Sequence, residues 1–170
     1  MSIVAEGIPR KLADPFDYGS GHINPDKAAD PGLIYDINLR DIDAKCFLNL
    51  SSVCETPQLP VYDLNLPSMS IPDLKTKVRV SRTVTNVGPA CSTYIAIVEH
   101  PPGVEMEVRS SKLVFDERTK RQNFTVTLTS IRRTQGVYSL GSLTWKDETH
   151  TVRIPVAVRT VIEDFYADVA

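Results

Sequence analysis

A chain of 170 residues with 42% hydrophobic and 24% charged residues has the composition of an ordinary globular protein, sized for one domain plus an arm. Its formal net charge of −2 gives no electrostatic case for nucleic acid or an anionic membrane, and the densest basic group, Arg118, Lys120 and Arg121 with Arg132 and Arg133 nearby, reads as solvated strand ends. No apolar run approaches the roughly 18 residues of a bilayer span, and "MSIVAEGIPRK" lacks the basic-then-apolar layout of a secretory signal, so the chain as written is expected in the cytoplasm.

Residues 1 to about 62 are thick with breakers. Pro9, Pro15, Pro25, Pro31, Pro57 and Pro60, with Gly7, Gly19, Gly21 and Gly32, forbid any long regular element. The spacing predicts a short helix over Pro25 to Ala29 and a second over Asp41 to Leu48, where Ile42 and Cys46 recur at helical interval. Such an arm cannot bury enough apolar surface to fold alone, so it is expected to lie across something larger. Within it, "DPFDYGSGHINP" crowds Ser20 and His22 together, but turn and capping chemistry explains these residues: glycines for tight backbone, Asp14 and Asp17 for local hydrogen bonds.

The three cysteines, Cys46, Cys54 and Cys91, contain no C-x-x-C pair, and the histidines His22, His100 and His150 are far apart, so no metal site is expected. Cys46 and Cys54 could close a small disulfide loop in an oxidising compartment or remain free thiols; Cys91 is left over either way. Two N-glycosylation sequons begin at Asn49 and Asn123, meaningful only on the secretory route.

From about Leu64 the pattern changes to alternation, the mark of half-buried strands. In "VEMEV", Val104, Met106 and Val108 point one way; in "NFTVTLT", Phe124, Val126 and Leu128 share a face; in "HTVRIPVAVR", Val152, Ile154, Val156 and Val158 do. "KVRVSRTVTNV", "STYIAIVE" and "VYSLGSLTW" are further runs, with shorter ones at Ser68 to Pro72 and Lys112 to Phe115. About seven strands separated by turn signals predict an all-β fold: a single sandwich of roughly 100 residues in the fibronectin type III or immunoglobulin-like style. Pro155 predicts an edge or a bulge in the last strand, and Trp145 a core position near a hairpin turn. Tyr94 and Tyr138 read as core residues.

Two runs break the half-buried rule. Ile95 and Ile97 lie on the face opposite Tyr94, Ala96 and Val98, so this strand is expected to be covered on its outer side too. Arg82 falls in phase with Val78, Val80 and Val84; either a β-bulge flips it outward or it is presented to a partner surface or to the arm. Arg82, Ile95 and Ile97 are therefore the candidate docking surface.

Four blocks in order, "ADPFDYGSGHINPDKAADPGLIYD", "LNLPSMSIPDL", "RTVTNVG" and "GSLTWKDETHTVRIPVAVR", resemble the C-terminal part of plant subtilisin-like serine proteases, over essentially the whole chain from Val4 to Arg159. The resemblance implies that residues 1–40 are the tail of a catalytic domain, 41–62 a connecting segment, 63–160 a fibronectin type III-like domain and 161–170 a C-terminal tail. It also implies a secreted, glycosylated family of the cell wall or extracellular space. The family's catalytic site needs D-[ST]-G, H-G-T and G-T-S-M-A contexts, and this sequence contains none of them. No catalytic residue is therefore assigned, no cofactor is called for, and the implied partner is a subtilisin-like catalytic domain in cis. The expectation is a non-catalytic C-terminal portion that docks on and stabilises the protease domain, in a truncated or partial gene product. The competing expectation is a self-standing β-sandwich interaction module.

Overall fold

The computed structural model describes residues 4–5, 11–37, 60–132 and 138–161. The alternating runs become strands: β2 (Met69–Leu74), β3 (Lys77–Asn86), β4 (Ser92–Glu99), β5 (Val104–Arg109), β6 (Lys112–Phe115), β7 (Arg121–Ser130), β8 (Ser139–Lys146) and β9 (Thr151–Thr160). A further strand, β1 (Leu33–Ile34), comes from the arm. They build two sheets, ordered β1-β3-β7-β5 and β2-β9-β8-β4-β6. All pairings are antiparallel except that of β2 with β9.

The period of two decides which side chains meet. Val80 and Val84 of β3, Phe124, Val126 and Leu128 of β7, and Val104 and Met106 of β5 face inward from the first sheet. Tyr94, Leu113, Phe115, Leu143, Trp145, Ile154, Val156 and Val158 face them from the second, so the all-β sandwich is the observed architecture. The rings of Phe124 and Trp145 meet edge to face at 4.9 Å across the two layers. Trp145 is fully buried one residue before the end of β8, at the hairpin that leads into β9. Tyr94 is fully buried, whereas Tyr138 is only half-buried and packs on the ring of Phe16 at 4.8 Å.

One expectation needs correction. Strand β9 is not an edge, since β2 and β8 flank it. Pro155 is tolerated because β2 joins β9 only from Val156 onward, so the proline stands on a stretch that has β8 alone beside it. The arm is mostly irregular with short helices, as expected, one of them over Pro25 to Ala29. It holds α1 (Pro15–Tyr18), closed by an Asp14–Asp17 capping box, and α2 (Pro25–Ala29), capped by Asn24. It then enters the first sheet as β1, with Leu33 buried in the core. The helix expected over Asp41 to Leu48, with Cys46, Asn49 and Cys54, lies outside the described residues.

Candidate docking face and interior polar clusters

The outer side of the second sheet divides into two halves. Where β8 meets the far part of β9 it is filled in, with Ser142, Pro155 and Ala157 buried, although Ser70 of β2 is exposed. Towards β4 and β6 it is open and apolar, with Ile95 57%, Ile97 49% and Val114 49% exposed. Register explains why these three share a face. Thr93 stands opposite Val114, Ile95 between Lys112 and Lys146, and Ile97 opposite Thr144, which in turn faces Arg153. Lys112 and Lys146 therefore border the apolar stripe directly. The acidic neighbour, Glu99, is taken up by the Ser142 hydroxyl and lies 3.8 Å from Arg153. Val114 was missing from the sequence reading because the four-residue β6 gives alternation too little length to display a face.

Arg82 does not belong to this face. No bulge interrupts the β3–β7 register at Arg82, which pairs with Phe124, so the side chain follows its phase inward and is 2% exposed. The sandwich accepts it because its guanidinium fork finds carbonyls. Nε donates to Leu66 O at 3.2 Å, Nη1 to Ser81 O at 3.0 Å, and Nη2 to Tyr62 O at 2.8 Å and Ser68 O at 3.2 Å. Burial lowers the Arg82 pKa from its ordinary value, with Tyr35 and Asp63 opposing that shift. Arg82 is thus a clip that fastens residues 62–68 to β3. Asn65 completes the same seam, donating to Asp36 O and Thr83 O, each at 2.9 Å, and accepting from Thr83 N at 2.8 Å.

Asn123 sits on the open side of the first sheet, exposed, among hydroxyls. Its Oδ1 accepts from Thr83 Oγ1 at 2.8 Å, which leaves the amide nitrogen directed away from that partner. Cys91 is an exposed free thiol.

In the sequence His150 enters only as a candidate metal ligand, because a lone histidine carries no further motif. It is buried, with Nδ1 at 2.9 Å from Asp147 Oδ2 and Nε2 at 3.1 Å from Asp30 Oδ2, the latter off the hydrogen-bond line. Thr149 Oγ1 lies 2.9 Å and the Tyr94 hydroxyl 3.5 Å from the same Nδ1. A nucleophile relay needs a carboxylate on one ring nitrogen and a hydroxyl on the other; here carboxylates occupy both sides, so the cluster is not a hydrolytic triad. Ser20 and His22, the pair that first invites that reading, are both exposed in the α1–α2 connection. Among the described residues no group of three His, Cys, Asp or Glu is placed to hold a metal ion, and no helix is long and apolar enough to cross a membrane.

A family model described as "Fibronectin type-III domain" matches residues 63–158. Two relatives from Arabidopsis thaliana are Subtilisin-like protease SBT3.10, 46% identical over 98% of this chain and 24% of its own length, and Subtilisin-like protease SBT3.5, 47% identical over 98% of this chain and 23% of its own. The chain spans about a quarter of the length of these curated relatives. Among solved structures, the ASH / PapD-like domain 7 of human CEP192 is loosely similar, with a TM-score of 0.44 and 10% identity over 65% of this chain and 94% of that one.

Proposed function

The chain belongs to the fibronectin type-III domain family and matches the C-terminal part of plant subtilisin-like proteases, and from that premise we propose that its sandwich is a docking module for a subtilisin-like serine protease domain. In this reading the module binds the protease domain in cis and stabilises it, while catalysis belongs to that domain and not to this chain. The division of the chain into 1–40, 41–62, 63–160 and 161–170 is part of the same proposal, as is action in the extracellular space or cell wall.

The observation that carries the reading is the open half-face of Ile95, Ile97 and Val114. Isolated exposed apolar residues are normal, but three in register on one sheet, bordered by charge, are what a partner surface covers. Arg82 has no part in it, being buried.

The test supplies a plant subtilisin-like protease domain in trans and measures calorimetric binding and its melting temperature. The chain is expected to bind and to raise that melting temperature. Ile95→Glu with Ile97→Glu is expected to weaken binding at least about tenfold, or 1.4 kcal/mol, without changing the sandwich's own melting. Undiminished binding by the double variant would remove the face from the proposal. Binding to a different protein, with none to the protease domain, would favour the self-standing module.

The extracellular reading extends to Asn123, whose exposed amide is open to a glycan. Expression through a plant secretory route is expected to yield a species whose mobility shifts on glycosidase treatment. The shift attributable to this site disappears in Asn123→Gln; an unshifted wild type refutes its use.

A further inference from the structure

The docking role makes no use of the buried histidine. We propose that Asp30, His150 and Asp147 form a proton-controlled clasp, which holds the N-terminal arm against the sandwich while His150 is protonated and frees residues 30–32 when it is not. This concerns the chain's own fold and stands whether or not the outer face docks.

The clasp joins parts that are remote in sequence. Asp30 follows α2 in the arm, Asp147 and His150 lie in the β8–β9 turn, and Tyr94 comes from β4. Asp147 is fixed from its own side: its Oδ1 accepts from His150 N and, at 2.8 Å, from Thr149 N, while its Oδ2 faces the imidazole. Asp30, by contrast, is exposed and meets the ring at Nε2. Between them Gly32, at φ +71°, leaves no room for a side chain: a Cβ there would lie 2.6 Å from the Tyr94 hydroxyl and 2.7 Å from His150 Cγ. The Gly32 carbonyl then accepts from Val87 N at 2.9 Å and Gly88 N at 3.2 Å.

Two carboxylates on two ring nitrogens can both be satisfied only by the imidazolium, which has two N–H groups. The neutral ring has one. It stays on Nδ1, where Asp147 is held by backbone, and the Nε2 lone pair then confronts the Asp30 carboxylate and repels it. Among the described residues the titratable groups facing His150 are Asp30 from the arm, Asp147 from the turn and the Tyr94 phenol from β4, none of them a cation. The Tyr94 phenol is pushed above its ordinary pKa, chiefly by burial, and stays neutral throughout.

The sign follows from these directions. The Asp147 hydrogen bond raises the His150 pKa, burial opposes, and Asp30 adds to the rise. The arm contact is therefore fully present below the ordinary histidine value and is lost as pH rises through the raised one. Burial works against the Asp147 carboxylate, but hydrogen bonds from His150 and Thr149 bring it down to about 2, so Asp147 stays ionised throughout the histidine titration.

Three histidines make the test readable by NMR on the full chain. The His150 ring is expected to titrate above the free value of about 6.5. The Val87 amide, corrected for intrinsic exchange, is expected to lose several-fold protection across that titration while Val126 and Leu143 amides do not change. In the exposed-site variant Asp30→Asn the His150 midpoint falls and the Val87 response shrinks with it; in His150→Gln the response is absent. A His150 midpoint at or below the free value, or Val87 protection indifferent to it, overturns the clasp.

Discussion

At Gly32 a positive φ coincides with a crowded site, and the two effects can be separated by comparison within the same molecule. A Cβ there would lie 2.6 Å from the Tyr94 hydroxyl and 2.7 Å from His150 Cγ, whereas at Gly103, also at positive φ, the nearest atom is Arg132 Cβ at 3.6 Å. Gly103→Ala therefore pays only for the left-handed backbone, about 1–3 kcal/mol, while Gly32→Ala adds a collision with two side chains packed into the core. Urea denaturation is expected to rank Gly32→Ala as the more destabilising of the two; equal midpoints would show that the arm simply moves aside. Arg82 teaches a complementary lesson at the same scale. Its inward position is what the alternation of "KVRVSRTV" requires, and the first of its two readings, a bulge that flips it outward, gave the residue's charge precedence over its phase. Phase prevailed because four carbonyls from Tyr62, Leu66, Ser68 and Ser81 converge on one planar fork, a convergence no local pattern announces.

At the scale of elements, what could be read was what repeats. Ten-residue strands such as β7 and β9 display their buried face several times over, and the Trp145 hairpin joins β9 to the eight-residue β8. Strand β1 has two residues, too few for any period, and its membership of the sheet depends on partners far along the chain: Leu33 opposite Asn86, and Ile34 opposite Thr85. The segment is then fixed by side chains, with Asp36 receiving the Thr85 hydroxyl and its carbonyl receiving Asn65. "GLIYD" was visible only as part of a breaker-rich arm, and the arm's dependence on something larger was legible while the identity of that support was not. Pro155 failed as an edge marker for a similar reason. Edge character belongs to a stretch of strand, here the part of β9 that precedes Val156, and not to the strand as a whole. The apolar face was legible in Ile95 and Ile97 because β4 is long enough to show both of its faces as hydrophobic; the charged border of Lys112 and Lys146 required the register.

The whole molecule is asymmetric in what its two sheets offer outward. The first presents Ser81, Thr83, Asn123 and Thr125, which hydrogen-bond in pairs across β3 and β7. The second presents isoleucines and a valine edged by Lys112, Lys146 and Arg153. The asymmetry makes a prediction about salt that distinguishes self-contact from docking. Two copies meeting through the second sheet bring like charges together, so self-association of the free chain is expected to increase as salt screens that repulsion within a Debye length of about 10 Å at 0.1 M. Binding to a partner of complementary, acidic rim is expected to weaken over the same range, chiefly through a slower on-rate. Sedimentation velocity at low and high salt reads the first trend and stopped-flow association with the protease domain reads the second. Opposite slopes, both abolished when Ile95 and Ile97 become glutamate, are the signature of one face used in two ways. Parallel slopes would mean that the apolar stripe and its basic border do not act as a single surface.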